Sequence, residues 1–176
     1  ACLRRVVLAR ETSLEQMHEI RQATKMDLEA FVHGALCVSY SGQCYMSQYL
    51  NSRSGNRGCC SQPCRSTYDL YNGDGKLLIK ERHLLSLRDF NASQQLHSMI
   101  DAGITSFKIE GRLKDLSYVK NITAYYRQLL DNFLNGNFPL STFHFPLSKS
   151  SSGSCTYTFT PDPERTFNRG YTDYFL

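Results

Sequence analysis

The sequence lacks the features that mark several large classes of protein. No apolar run is long enough to cross a membrane, and no charged segment followed by an apolar one marks a secretory signal. The motifs H-E-x-x-H and G-x-S-x-G are missing, and no clear set of cysteine, histidine and asparagine stands out. These absences argue against a membrane-spanning protein and the conventional protease classes, and they predict a cytoplasmic protein.

Length and charge set only loose limits. The 176 residues, of which 41% are hydrophobic, suffice for one domain, or for one domain and a small piece of another. The net charge of +4 fits RNA or an anionic metabolite as partner, although most proteins of this charge bind neither. Because the chain enters a strand-like segment at once and ends as abruptly, we expect it to be part of a longer protein.

Cysteine, in contrast, is concentrated in one loop. Five of the seven cysteines lie between Cys37 and Cys64, in a segment rich in glycine and arginine. The odd total and the missing export signal favour a reducing compartment, where clustered cysteines more often bind metal. Four thiolates on one loop can hold a metal ion or an iron–sulfur cluster. Cys2 and Cys155 are predicted to be buried free thiols.

The spacing of the clustered cysteines leaves three interpretations open. Structural zinc favours two close pairs, and here only Cys60 and Cys64 form one, because six residues separate Cys37 from Cys44. Disulfides or free thiols are the second interpretation. The third, which we favour, is an iron–sulfur cluster. Cys59 is an alternative to Cys60, because neighbouring residues point in different directions.

Hydrophobic periodicity predicts an α/β fold. Strands are expected at 4–10, 28–38, 84–88 and 105–109. Helices are expected after a cap at Thr12 or Ser13, at 92–102 with Gly103 as the stop, and at 117–134 with a buried stripe that includes Val119. The Asn-Gly-Asp-Gly turn at 72–75 predicts a hairpin between 66–71 and 76–80. Alternation of strands and helices implies a parallel sheet with right-handed crossovers.

The character of the chain changes after about residue 138. Residues 148–154 are polar and read as a flexible linker, and 156–160 are strand-like. We therefore assign 139–176 to a linker and the start of a β-rich C-terminal domain.

Polar residues follow three predicted strands at the ends where parallel α/β folds place their active sites, at 10–11, 33–37 and 108–112. Lys108, Glu110 and Arg112 alternate along the last strand, so their side chains are expected on one face. One interpretation is functional: they bind an anionic substrate or transfer protons. The other is structural: they form a buried salt-bridge network that holds the strand. His33 is a further catalytic candidate, although a hydrogen-bonded core histidine is the more common role for such a residue.

The cysteine loop also carries arginines and tyrosines. Its arginines are candidates for gripping phosphates, with ordinary solvated side chains as the alternative, and they are Arg53, Arg57 and Arg65. Tyr40, Tyr45 and Tyr49 can stack on bases, but packing around the cysteines is the safer interpretation.

Several segments together resemble the signature of peptidase family U32, the collagenase-like proteases. They are EAFVHGALC at 29–37, GQCYMS at 42–47, NRG at 56–58, QPCR at 62–65, SFKIEGR at 106–112 and FNRG at 167–170. The family name implies proteolysis. The resemblance to its better-understood members implies oxygen-independent hydroxylation instead, of tRNA, of rRNA or in the ubiquinone pathway.

The resemblance also implies a cofactor. The ubiquinone-pathway relatives carry a [4Fe-4S] cluster on four cysteines, and Cys37, Cys44 and Cys60 match the first three. The fourth lies farther downstream in that branch, where this chain has no cysteine, whereas Cys64 matches the RNA-modifying branch. The expected set is therefore Cys37, Cys44, Cys60 and Cys64, with RNA as substrate. Prephenate, which is linked to the RNA-modifying members, is the expected hydroxyl donor.

For the fold, the resemblance implies a TIM-like (β/α) barrel followed by a small β-barrel. Residues 1–138 then form a partial barrel domain, with a cysteine-rich insert at 37–82. Lys108, Glu110 and Arg112 would line the substrate pocket, and the loop arginines would hold RNA phosphates. Two alternatives remain open: a collagenase-like peptidase, and a zinc-stabilised module without catalysis.

Overall fold

The computed structural model describes residues 3–134 and 156–176. The strands are β1 (Arg5–Val7), β2 (Asp27–Ala35), β3 (Tyr68–Tyr71), β4 (Leu77–Arg82), β5 (Asp89–Asn91), β6 (Ser106–Ile109) and β7 (Tyr171–Thr172). The helices are α1 (Leu14–Ala23), α2 (Met46–Asn51), α3 (Leu96–Asp101) and α4 (Leu116–Leu134). Cys2, Cys155 and the predicted linker at 148–154 lie outside the described residues.

The first of two compact units combines Ala1–Ala35 with Arg88–Leu176. Its sheet is built around β2, which pairs in parallel with β1 and β6. β5 pairs antiparallel with β2, and β7 runs parallel to β5. The predicted α/β class is confirmed, but the prediction of a wholly parallel sheet is wrong. Two strands that are parallel neighbours need a crossover connection between them. The inserted segment before β5 does not act as such a crossover, so β5 pairs with β2 in the opposite direction.

The predicted start of the first helix is confirmed, because Ser13 caps α1. The Ser13 hydroxyl accepts a hydrogen bond from the Gln16 N–H at 3.3 Å, and the Gln16 side chain accepts one from the Ser13 N–H at 3.0 Å. This reciprocal capping box satisfies two backbone donors that the helix leaves unpaired. Met17 then faces the core as the periodicity requires.

The later helices follow their predicted positions with two differences. α3 is shorter than predicted, and Gly103 ends it with a φ of +92° while its N–H bonds the Ile100 carbonyl. The buried stripe of α4 consists of Tyr118, Ile122, Ala124 and Tyr126. Placing Val119 in that stripe was wrong, because this side chain is 46% exposed.

Two strand predictions also differ from the structure. β5 lies at Asp89–Asn91 instead of 84–88. No strand forms at 156–160, where the alternating sequence instead packs the rings of Tyr157 and Phe159 edge to face, 6.0 Å apart. A residue's β-propensity reflects how well its side chain packs on the surface of a sheet. A segment of high propensity forms a strand only where a neighbouring strand is available to pair with it. The C-terminal segment supplies β7 instead, whose Tyr171 and Thr172 pair with Asp89 and Phe90.

The apolar core of the first unit lies between the sheet and its helices. Leu28, Val32, Met99, Ile104 and Ile122 are completely buried. Hydrophobic burial of this kind is the main favourable term in folding. Within the described ranges, no helix has both the length and the apolar character needed to cross a membrane.

The second unit is Leu36–Leu87. Its predicted hairpin is confirmed, since β3 and β4 pair antiparallel with Tyr71 opposite Leu77. The Asn72 side-chain oxygen closes the turn by accepting hydrogen bonds from the N–H groups of Asp74 and Lys76 at 3.1 and 2.8 Å. Asparagine favours turns because its short side chain can bond nearby backbone groups in this way.

Glycine at position 34 is required by a close approach of two backbone segments. Its φ is +114°, and an added Cβ would lie 2.3 Å from the Glu110 carbonyl oxygen. We predict that Gly34→Ala lowers the free energy of unfolding by at least about 2 kcal/mol, because it adds backbone strain and a steric clash. Gly73→Ala is the matched control, since an added Cβ there meets nothing within 4 Å. Equal stabilities in urea denaturation would contradict this account.

Candidate functional site

Polar side chains hold the cysteine loop in a defined shape. The buried Ser47 hydroxyl accepts from the Ser61 N–H and bonds the Ser61 hydroxyl, each at 2.9 Å. Asn51 donates to the same Ser61 hydroxyl at 2.7 Å, which fixes α2 against the segment that carries Cys59 and Cys60. The loop is therefore braced by hydrogen bonds, which are directional and fix its geometry.

The Cys64 thiol is influenced by three of the other thiols. Burial raises the pKa of Cys64, and the sulfurs of Cys37, Cys60 and Cys44 raise it further, whereas Arg65 lowers it. All four of these cysteines are partly buried. Their service as one ligand set stays a prediction.

Cys59 differs from its neighbour Cys60. It is exposed, and its thiol points to the Arg57 carbonyl oxygen at 3.9 Å. The Cys60 sulfur instead accepts a hydrogen bond from the Gln62 N–H at 3.3 Å. Gly55 lies beside Cys60, since a Cβ added at Gly55 would be 3.8 Å from the Cys60 sulfur, an ordinary van der Waals distance. The geometry favours Cys60 over Cys59 as the fourth member of the set.

The chemistry of this donor set fits an iron–sulfur cluster. Four cysteine thiolates are the usual ligands of a [4Fe-4S] cluster, in which each sulfur binds a different iron. An N–H donor to a ligand sulfur, as from Gln62 to Cys60, is also typical of such sites. None of the five cysteines is in a disulfide. In the part of the chain that the structure describes, no three His, Cys, Asp or Glu side chains form a group that could hold a single metal ion.

The three candidate arginines have different surroundings. Arg53 is exposed and donates from Nε to the Cys59 carbonyl oxygen at 3.1 Å, and Arg57 is exposed in a short 3-10 turn. Arg65 is partly buried and donates to the Ser86 hydroxyl and to the carbonyl oxygens of Leu36 and Leu87. Arg65 thus joins the two ends of the second unit, while Arg53 and Arg57 face solvent.

His33 lies in a buried polar cluster of the first unit. It is 1% exposed, and its Nδ1 lies 3.3 Å from the Tyr126 hydroxyl. The rings of Tyr118 and Tyr171 pack against it at centroid distances of 6.2 and 5.2 Å. Burial lowers the pKa of His33 to about 4, against an opposing effect of Asp89 and a smaller lowering by Lys114. This geometry matches the core-histidine interpretation, and a catalytic role for His33 stays a prediction.

The tyrosines of this cluster are held as neutral hydrogen-bond donors. Burial is the largest cause that raises the pKa of Tyr118 and of Tyr126 well above the ordinary value. Tyr118 donates to the Glu110 carbonyl oxygen at 3.0 Å, and Tyr126 donates to the Val32 carbonyl oxygen at 2.6 Å. Their hydroxyls therefore satisfy backbone acceptors near the carboxyl ends of β2 and β6.

Asp89 is the functional candidate that sequence reasoning missed. Its side chain is 2% exposed, and its carboxylate lies 3.3 Å from Lys114 Nζ and 3.1 Å from an Arg169 terminal nitrogen. Lys114 Nζ also lies 4.7 Å from the centre of the Tyr118 ring. The one available signal was the FNRG segment, which contains Arg169 but does not identify its partner.

The charged residues at the end of β6 do not form the predicted row. Only Lys108 lies in the strand, 3.9 Å from a Glu29 carboxylate oxygen and 5.2 Å from the Phe31 ring centre. The strand ends at Ile109, so placing Glu110 and Arg112 in it was wrong. The Glu110 carboxylate instead accepts from the Arg112 N–H at 3.1 Å, which turns the chain out of the sheet. Whether these side chains meet substrate stays a prediction.

The depressed pKa of His33 gives a prediction for pH dependence. Between pH 6.5 and 4 the unfolded chain binds a proton at this histidine that the folded chain does not, so acidification favours unfolding. We expect the free energy of unfolding to fall across this window by up to about 3 kcal/mol from this residue. His33→Gln should flatten the dependence measured by denaturation at several pH values. The exposed His83→Gln is the control, and equal slopes for both variants would contradict the assignment.

Comparison with known proteins identifies the family of this chain. The profile of Peptidase family U32 matches residues 1–176. The 23S rRNA 5-hydroxycytidine C2501 synthase of Escherichia coli K12 is 51% identical over 97% of this chain and 25% of its own length. The tRNA hydroxylation protein P1 of Bacillus subtilis 168 is 39% identical over 74% of this chain and 32% of its own length.

A relative that is named for a different activity also matches. A collagenase of Porphyromonas gingivalis W83 is 34% identical over 76% of this chain and 35% of its own length. The chain therefore spans about a quarter to a third of the length of these relatives. No solved structure matches. Because the family profile covers its whole length, the chain belongs to Peptidase family U32.

Proposed function

We propose that the full-length protein hydroxylates RNA without molecular oxygen, with a [4Fe-4S] cluster held by Cys37, Cys44, Cys60 and Cys64. The observation that carries this proposal is the presence of four partly buried free thiols on one loop, three of which act on the pKa of Cys64. The similarity to an rRNA hydroxycytidine synthase and to a tRNA hydroxylation protein supports RNA as the substrate. A protein with this substrate would act in the cytoplasm.

The residues of the second unit have separate roles in this proposal. A bound cluster supplies one-electron redox chemistry. Arg65 lowers the pKa of Cys64 and so favours the thiolate that metal binding requires. The Gln62 N–H stabilises charge on the Cys60 sulfur. Exposed Arg53 and Arg57 bind RNA phosphates, since arginine forms paired hydrogen bonds with phosphate oxygens.

Two further parts of the proposal concern the longer protein. The sheet around β2 forms part of a TIM-like (β/α) barrel, in which Lys108, Glu110 and Arg112 line the substrate pocket. Prephenate serves as the hydroxyl donor, and basic residues near the strand ends would receive its carboxylates. Zinc on the same four cysteines is the alternative cofactor, and it would serve only folding.

A peptidase is the second candidate function, because a collagenase is among the relatives. It predicts that the full-length protein cleaves denatured collagen and that a chelator abolishes cleavage. It gives no role to the four thiols beyond structure. The two candidates therefore differ in what loss of one cysteine does to cellular RNA.

Serine variants of the cysteines test the proposed function. In cells that lack the gene, mass spectrometry of nucleosides from tRNA and rRNA should show the loss of one hydroxylated nucleoside. A wild-type copy should restore it, whereas Cys64→Ser should reduce it at least about tenfold, because clusters need their thiolate ligands. Cys59→Ser is the matched control, since this thiol is exposed and donates to the Arg57 carbonyl oxygen.

Two outcomes would contradict the proposal. Hydroxylated nucleosides that are unchanged by loss of the gene would remove RNA as the substrate. Equal restoration by the Cys64→Ser and Cys59→Ser variants would remove the cysteine set from the reaction.

A further inference from the structure

Three tyrosines of the second unit are strongly exposed. The exposed fractions are 64% for Tyr40, 70% for Tyr45 and 88% for Tyr49. The interpretation that they pack around the cysteines is therefore wrong. Large aromatic side chains that project together from one loop are a common mark of a binding surface.

The chain places these rings beside two exposed arginines. Tyr45 and Tyr49 lie one helical turn apart, and the Tyr49 N–H bonds the Tyr45 carbonyl oxygen at 2.9 Å. Residues at this spacing share one face of a helix. After α2, Ser52 adopts a left-handed conformation with a φ of +53°, and the Arg53 N–H bonds the Ser47 carbonyl oxygen at 3.3 Å. The chain therefore turns back on α2 and keeps Arg53 next to it.

Arg57 is brought to the other end of the same helix. The Asn56 side-chain oxygen accepts a hydrogen bond from the Cys44 N–H at 3.1 Å. Arg57 follows Asn56 in the chain and Tyr45 follows Cys44, so this bond keeps the two backbone segments that carry Arg57 and Tyr45 close together. We name Tyr45, Tyr49, Arg53 and Arg57 the tyrosine–arginine surface.

The charge of this segment restricts what the surface can bind. No aspartate or glutamate occurs between Glu29 and Asp69, so no carboxylate side chain on this stretch opposes the arginines. Arg53 uses only its Nε for the Cys59 carbonyl, and among the described residues its terminal nitrogens have no partner. A surface with cations and exposed rings, and without acids, is complementary to a polyanion that carries flat rings.

Single-stranded nucleic acid has this chemistry. Its bases stack on aromatic side chains while its phosphates lie along basic ones. A duplex hides the faces of its bases, and sequence-specific RNA recognition mostly uses unpaired loops and bulges for this reason. We infer that the tyrosine–arginine surface binds an unpaired RNA segment, with bases stacked on Tyr45 and Tyr49 and phosphates on Arg53 and Arg57. This inference rests on the proposed function and specifies its substrate as unpaired RNA next to the cysteine set.

Binding of labelled RNA to the full-length protein, purified without oxygen, tests the inference. The probe is a fluorescent RNA of about 12 unpaired nucleotides, within the range of known single-strand sites, and its blunt duplex is the comparison. We expect Tyr49→Ala to weaken single-strand binding about tenfold, and Tyr49→Phe to bind like the wild type, because phenylalanine keeps the stacking ring. Arg57→Ala should lower the slope of log affinity against log salt by about 1.

Tyr71→Ala is the matched control, because Tyr71 is also exposed in the second unit, at 54%, but lies on the hairpin. Equal binding by Tyr49→Ala and Tyr71→Ala would overturn the inference, as would duplex binding as tight as single-strand binding. A large loss of unfolding free energy in Tyr49→Ala would also overturn it, since the ring would then be packed against another part of the full-length protein.

Nucleoside mass spectrometry separates failure of the inference from failure of the proposed function. If the Tyr45→Ala/Tyr49→Ala double variant restores hydroxylation and binds RNA like the wild type, the surface assignment fails and RNA hydroxylation stands. If the wild-type gene restores no hydroxylated nucleoside, the proposed function fails whatever the binding result.

Discussion

Burial of the Asp89 carboxylate is the constraint on which the first unit depends. A carboxylate removed from water is very costly unless cations and hydrogen-bond donors replace its hydration. Lys114 and Arg169 supply that replacement from the segment before α4 and the segment before β7, while Asp89 itself begins β5. Removing one partner of such a buried pair typically costs about 3–5 kcal/mol. One charge therefore fixes three parts of the chain, and the tyrosines around His33 close over the same place.

The second unit depends on a different kind of bond. It has few apolar contacts of its own, and its hairpin exposes Leu78 and Tyr71 to solvent. Hydrogen bonds brace the loop instead: Ser47 and Asn56 accept from backbone N–H groups, and Asn51 donates to the Ser61 hydroxyl. A small unit with little core usually needs a metal or a disulfide to be stable. Cys64 and the three thiols that act on it are where a cofactor would both stabilise this unit and supply its chemistry.

Sequence reasoning succeeded where a local signal decides the structure. The capping box at Ser13 and the turn at Asn72 depend on residues three or four positions apart. A helix cap at Thr12 or Ser13 and the turn at 72–75 were both predicted. The grouping of Cys37, Cys44, Cys60 and Cys64 as ligands stays a prediction, which rests on their place in one loop. α2 was missed, since its six residues are too few to show helical periodicity.

It failed where distant segments decide the structure. Asp89 owes its role to Lys114 and Arg169, which lie far along the chain, so no spacing rule could identify the group. The antiparallel direction of β5 depends on the path of the inserted segment before it. No periodic pattern in that segment indicates this path. The exposure of Tyr49 also depends on tertiary packing. The residues next to it in sequence do not indicate which face of α2 is covered by the rest of the unit.

The most direct test of the central claim is the metal content of the full-length protein purified without oxygen. The account predicts a brown protein with broad visible absorption and about four iron and four sulfide per chain. A colourless protein with one zinc per chain, or with no metal after anaerobic handling, would contradict it and remove redox chemistry from the cysteine loop.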